Sequence, residues 1–140
     1  MNTSAKLPLY LIHGRLGSGK TSLITHLAGS DYFKNAFVIE NEFASENVDG
    51  GMLGKHFDHE DIFEISGGCI CCSSGSELFD VLNKIAVRAR NASPVIIETT
   101  GVANSAQLLK QLFLSDAFHQ NFYLAKNVLI IDALECAVHS

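Results

Sequence analysis

Gly14-Arg15-Leu16-Gly17-Ser18-Gly19-Lys20-Thr21 brings three glycines, one ammonium and two hydroxyls together in eight positions. The pattern is Gly, four residues, then Gly-Lys-Thr, which is the pattern of a loop that cradles phosphate. Glycines let main-chain N–H groups close on anionic oxygens with no Cβ in the way. Lys20 supplies a compact cation for the β and γ phosphates, and the Thr21 hydroxyl is the expected Mg2+ ligand. A helix that begins here adds its unpaired N–H groups and positive dipole end. The expected nucleotide contacts are Gly14, Gly17, Ser18, Gly19, Lys20, Thr21 and Ser22, and the expected ligand is a nucleoside triphosphate. Arg15 reads as a solvated loop cation.

Two further segments carry chemistry. In Ile96-Ile97-Glu98-Thr99-Thr100-Gly101 an apolar run ends in a carboxylate, two hydroxyls and a glycine. The ends of parallel strands border the ligand crevice. Glu98 is therefore a candidate to orient water or hold the Mg2+ shell, and Gly101 a candidate for γ-phosphate approach. With Lys20, Glu98 makes up the expected catalytic pair. Gly67-Gly68-Cys69-Ile70-Cys71-Cys72 sets three thiols within four residues behind turn glycines. Thiolates are soft ligands suited to Zn2+ and related ions. Three sulfurs do not complete a four-ligand site, so another residue or a partner must contribute. Small apolar filler and a redox thiol pair are the competing readings. Glu40-Asn41-Glu42-Phe43 offers carboxylates that either complete a metal site or respond to the γ-phosphate. His56-Phe57-Asp58-His59-Glu60-Asp61 reads as an exposed polar loop, and Cys136 as core or surface filler.

Short β-branched runs alternating with helical patterns predict the elements that place these groups. Strands are expected over residues 7–13, 36–40, 61–65, 94–98 and 127–132. A first helix carries Leu23, Ile24, Leu27 and Ala28 and stops at Gly29. A second, started by a Ser74/Glu77 capping box, presents Leu78, Leu82, Ile85 and Ala89. A third, capped by Asn104, carries Leu108, Leu109, Leu112 and Phe113. Residues 41–60 and 66–75 read as loops. The fold class is α/β: a three-layer P-loop NTPase domain with a mainly parallel sheet. Residues 1–140 are expected to form one such domain, shortened at its C-terminal side.

Composition agrees with a globular α/β chain: 47% hydrophobic and 18% charged over 140 residues. A net charge of −5 argues against broad nucleic-acid or anionic-membrane binding. Met1 to Lys6 lead straight into the first strand, and no apolar run reaches membrane length. The expected location is the cytoplasm. Four cysteines there read as thiols or metal ligands before disulfides.

Together the motifs resemble the CobW-type metallochaperone GTPases, relatives of the nickel-insertion GTPases of urease and hydrogenase maturation. The resemblance is carried by residues 14–21, by Glu40-Asn41-Glu42-Phe43 with Val48-Asp49-Gly50, by the Gly67-to-Cys72 loop and by Glu98-Thr99-Thr100-Gly101. It implies a GTPase that binds Zn2+ or a similar transition metal and couples hydrolysis to metal delivery to a client protein. By that match Glu42, Cys69, Cys71 and Cys72 are the metal residues. Glu42 falls in the switch segment and Glu98 in a Walker-B-like segment. The sequence departs from the family at Ala44-Ser45, where a glycine and an acidic residue usually stand. It also has no match to the family's guanine-reading Asn/Ser/Thr-Lys-x-Asp segment, so GTP over ATP rests on the resemblance. The oligomeric state is open, a homodimer included. Two other readings stay open: a non-enzymatic nucleotide- or metal-binding module, and a small-molecule P-loop kinase.

Overall fold

The computed structural model describes residues 5–42, 53–66, 75–89, 92–100 and 102–139. Five strands form one sheet in the order β3-β2-β4-β1-β5: β1 (Leu7–Gly14), β2 (Phe37–Glu42), β3 (Ile62–Ser66), β4 (Val95–Thr100) and β5 (Phe122–Ile130). Every pairing is parallel. The helices are α1 (Lys20–Ala28), α2 (Gly75–Arg88), α3 (Val102–Phe113), α4 (Asp116–Asn121) and α5 (Ala133–His139), with a 3-10 turn at His59–Asp61.

Alternation along the strands divides the core in two. Leu9, Leu11, Ile39, Val95 and Ile97 point to one face, where they meet Leu78, Leu82 and Ile85 of α2 and Leu108 and Leu112 of α3. Ile12, Val38 and Ile96 point to the other, where they meet Ile24 and Ala28 of α1. The result is the three-layer α/β/α arrangement, because a parallel sheet must be covered on both faces.

The chain order places a switch point beside β1. From β1 the chain crosses through α1 to β2 on one side, while β4 crosses through α3 and α4 to β5 on the other. The C-terminal ends of β1 and β4, in register at Gly14 and Thr100, therefore flank the crevice.

Several elements differ from expectation. Strand β2 runs to Glu42, so Asn41 and Glu42 are strand residues rather than the start of a loop. Within the expected loop, Leu53 and Phe57 are core residues of the α1 face. Asn104 lies inside α3, which begins at Val102, so it is not the cap. Phe113 is half exposed at the end of that helix. Strand β5 begins at Phe122, well before residue 127, because Phe122 stacks on Phe118 of the unforeseen short helix α4. Among the described residues it is an edge strand, with exposed Tyr123 and Leu129. Residues 133–139 are helical, and Cys136 is a free, exposed thiol. The Ser74 half of the proposed capping box lies outside the described residues.

Two side-chain clusters fasten the ends of the sheet away from the crevice. Tyr10 Oη lies 2.9 Å from Tyr32 Oη, and Phe33 packs edge-on against both rings. Burial, with the Tyr32 hydrogen bond second, pushes the Tyr10 phenol up to about 12. Arg88 at the end of α2 lies over the rings of Phe37 and Phe63, donates to the Glu60 carbonyl at 2.7 Å, and reaches Asp61 Oδ1 at 3.1 Å.

Candidate functional site

Strand β1 delivers the glycine loop to the crevice, and α1 leaves it. Gly17 and Gly19 have φ of 78° and 104°, in the left-handed region where a side chain is strained. Gly14 is constrained by space: a Cβ there would lie 2.5 Å from the Ile130 carbonyl oxygen and 2.8 Å from Ser18 Oγ. The loop is therefore wedged against the end of β5.

Gly19 occupies the cap position of α1 and makes no side-chain capping bond, and the first turn contains no acidic residue. The amides at this helix start are thus not claimed by a side-chain cap or by a carboxylate of the first turn, a condition that favours an anion at a helix N-terminus. Lys20 is buried to 5% exposure, and its ammonium donates to the carbonyls of Gly14 and Arg15, each at 2.9 Å. A buried ammonium is tolerated only where acceptors surround it. Here it is held against the loop. Thr21, in the first turn, is half-buried and Ser22 is exposed. Ser18 Oγ is buried without a hydrogen-bond partner among the described residues, and it lies beside Gly14 in the loop.

Glu98 is half-buried on β4, in register with Ile12 on one side and Glu40 on the other, so it belongs to the α1 face. Glu40, with 1% exposure, is the more deeply buried carboxylate. The sequence puts Glu40 at the junction of strand and loop, and its burial follows only from the alternation of Val38 and Glu40 against Ile39 and Asn41. The structure thus brings Gly14, Gly17, Ser18, Gly19, Lys20, Thr21, Ser22 and Glu98 to one end of the sheet. Gly101, Cys69, Cys71, Cys72 and the Glu42 side chain lie outside the described residues. Among the described residues no group of three or more His, Cys, Asp or Glu side chains is arranged to hold a metal ion. No described helix is long and apolar enough to cross a membrane.

The donor set fits the expected ligands on two observations. Uncapped amides, a buried ammonium and a buried orphan hydroxyl form an anion cradle, and Thr21 adds an oxygen ligand of the kind Mg2+ takes.

Residues 8–140 match the family described as CobW/HypB/UreG, nucleotide-binding domain. The chain belongs to this family. Among its relatives, the zinc chaperone CobW of Pseudomonas aeruginosa is 34% identical over 110 residues, covering 74% of this chain and 29% of that protein. The zinc chaperone YjiA of Escherichia coli K12 is 30% identical over 128 residues, covering 89% and 40%. The zinc-regulated GTPase metalloprotein activator 1 of Schizosaccharomyces pombe is 30% identical over 135 residues, covering 94% and 33%. The chain therefore spans 29–40% of the length of these relatives. Crystal structures of Zn(II)-bound YjiA GTPase and of a Zn(II)-bound triple mutant share the fold. Their TM-scores are 0.62 and 0.63 at 21% and 20% identity, each over 97% of this chain and 43% of the other.

Proposed function

We propose that this chain is a GTP-binding and GTP-hydrolysing domain that carries Zn2+ or a similar transition metal as cargo and couples nucleotide state to its delivery to a client protein. The observation that supports it most is the uncapped start of α1 beside the buried Lys20, in a family whose relatives are named zinc chaperones and a zinc-regulated GTPase. Gly14, Gly17, Ser18, Gly19 and Ser22 supply the phosphate contacts of the loop, and Gly101 approaches the γ-phosphate. Lys20 moves from the Gly14 and Arg15 carbonyls to phosphate oxygens and balances the charge that spreads over the transferred group. Glu98 orients the attacking water. Such catalysis is positioning and charge stabilisation, with little covalent work for the protein. Thr21 holds Mg2+, which, when bound, neutralises phosphate charge. Cys69, Cys71, Cys72 and Glu42 hold the cargo metal. Residues 1–140 act as one nucleotide-binding domain in the cytoplasm, without nucleic-acid or membrane partners, and the second copy of a homodimer is compatible with it.

Isothermal titration with GTP, ATP and Zn2+, separately and combined, tests this reading. Wild type is expected to bind both guests and to prefer GTP. A Cys69→Ser, Cys71→Ser, Cys72→Ser variant is expected to retain nucleotide and lose Zn2+. Zinc affinity unchanged in that variant removes the cysteine loop from the proposal, and absence of nucleotide binding removes the GTPase.

A further inference from the structure

Three buried polar side chains lie across the strands that carry the candidate site, outside the phosphate loop. His13 and Thr99 are register partners between β1 and β4, and Asn41 and Thr99 between β2 and β4. Each sits two residues beyond an apolar neighbour of the α2–α3 face, namely Leu11, Ile97 and Ile39. Their exposures are 5% for His13, 1% for Thr99 and 5% for Asn41. Asn41 Nδ2 donates to Thr99 Oγ1 at 3.3 Å. Asn41 Oδ1 and His13 Nδ1 are buried without hydrogen-bond partners among the described residues.

Leucine-like side chains fill the rows beneath, so the polar row is not required for packing. Unmet buried polar atoms are unfavourable, so each one here calls for a partner. The Thr99 hydroxyl accepts from Asn41 and retains its own proton to donate. His13 stands on the adjacent strand with its Nδ1 unspent.

The row also lies one peptide unit from each group of the proposed coupling. His13 precedes Gly14, whose carbonyl holds Lys20. Asn41 precedes Glu42, and Thr99 follows Glu98. Withdrawal of Lys20 from the Gly14 carbonyl releases the peptide unit next to His13. Glu42 and Asn41 share a peptide unit, so a shift of one carries to the other.

We propose that His13, Thr99 and Asn41 form a buried relay in which the Thr99 hydroxyl bonds Asn41 on one side and His13 Nδ1 on the other, and which couples the phosphate loop to the Glu42 segment. These are positioning residues and touch neither guest. The inference rests on the proposed coupling of nucleotide and metal.

The test compares Zn2+ affinity with and without a non-hydrolysable GTP analogue and Mg2+, by chelator competition. Wild type is expected to show a ratio of about fivefold or more, the usual scale of coupling between sites. Thr99→Val and His13→Leu should bring the ratio to within about twofold of one, with each guest alone bound within about threefold of wild type. Thr99→Ser and His13→Asn, which keep a hydroxyl and offer an amide oxygen as acceptor near the Nδ1 position, should retain it. A wild-type ratio retained in Thr99→Val overturns the relay. Failure of wild type to bind either guest instead overturns the proposed function. A wild-type ratio of one with both guests bound overturns the coupling itself. Should the valine and leucine variants not fold, the imidazole 15N spectrum of wild type decides. The His13 Nδ1 resonance should shift when the analogue binds, and an unmoved resonance sinks the relay.

Discussion

The ammonium of Lys20 donates to the carbonyl oxygen of Gly14, six residues earlier, at 2.9 Å, and both groups are buried. The same side chain thus braces the loop and is the proposed phosphate ligand. Lys20→Ala removes both roles. A hydrogen bond from a charged group contributes about 1.5–3 kcal/mol, so nucleotide affinity should fall by about ten- to a hundredfold. Removing the donor also takes a charged partner from the Gly14 carbonyl and leaves Arg15 O with the Ser18 amide alone, so stability without nucleotide should drop by about 1–3 kcal/mol. Titration calorimetry and urea unfolding measure the two losses separately. A variant that loses affinity with unchanged unfolding contradicts the bracing role.

Gly14 and its neighbours Gly17 and Gly19 resist substitution for different reasons. A Cβ on Gly14 meets the backbone oxygen of Ile130 at 2.5 Å, and a main-chain atom cannot rotate away. Gly14→Ala should therefore separate β1 from the end of β5 and cost about 1–3 kcal/mol, the usual scale of overpacking. At Gly17 and Gly19 nothing lies within 4 Å of a Cβ, but φ is positive. Alanine there should cost about 1–2 kcal/mol of backbone strain with the sheet intact. Amide exchange distinguishes them: β5 amides should lose protection in Gly14→Ala alone.

Tyr10 gives a pH signature. Its phenol is raised from 10.0 to about 12, by burial first and the Tyr32 hydrogen bond second. A folded pKa above the unfolded one means that the contribution to stability is full below about pH 10 and is lost as pH rises towards about 12. Wild type should lose denaturation midpoint across that window more steeply than Tyr10→Phe, which has no proton to release. Parallel slopes for the two proteins would show that Tyr10 carries none of the pH dependence.

The sheet and its two faces were legible because period-two alternation of Leu9, Leu11, Ile39 and Ile97 against Ile12, Val38 and Ile96 is a local signal. The phosphate loop was legible because its glycines, Lys20 and Thr21 are contiguous. Leu53 and Phe57 were missed since their burial depends on a tertiary contact with the α1 face, in a stretch without periodicity. The asymmetry of β5 was missed for the same reason: an apolar run does not say which strand has a neighbour on only one side. Glu40 and the His13–Thr99–Asn41 row are legible only through register, which joins residues from three strands. Asn104 misled because a favoured cap residue is also tolerated in a first turn, and helix ends are weakly marked by single residues.

Arg88 offers the last prediction, because its parts can be separated. Its guanidinium lies 5.8 Å from the Phe37 ring centre and 5.9 Å from that of Phe63, while donating to Glu60 O and Asp61 Oδ1. The ion pair alone contributes little, since the Arg88 side chain is 40% exposed and solvent screens it. The planar group over two rings and the bond to a main-chain carbonyl are less sensitive to salt. Arg88→Ala should cost about 1–2 kcal/mol, and Arg88→Lys should recover less than half, because an ammonium cannot stack and donate in two directions together. Asp61→Asn, which removes the closer of its two ion pairs and leaves Glu60 Oε2 at 3.9 Å, should cost under about 0.5 kcal/mol. Guanidinium chloride would mask the ionic part, so urea unfolding at low and high NaCl is the measurement. A large, salt-sensitive loss in Asp61→Asn would assign the staple to charge instead of stacking.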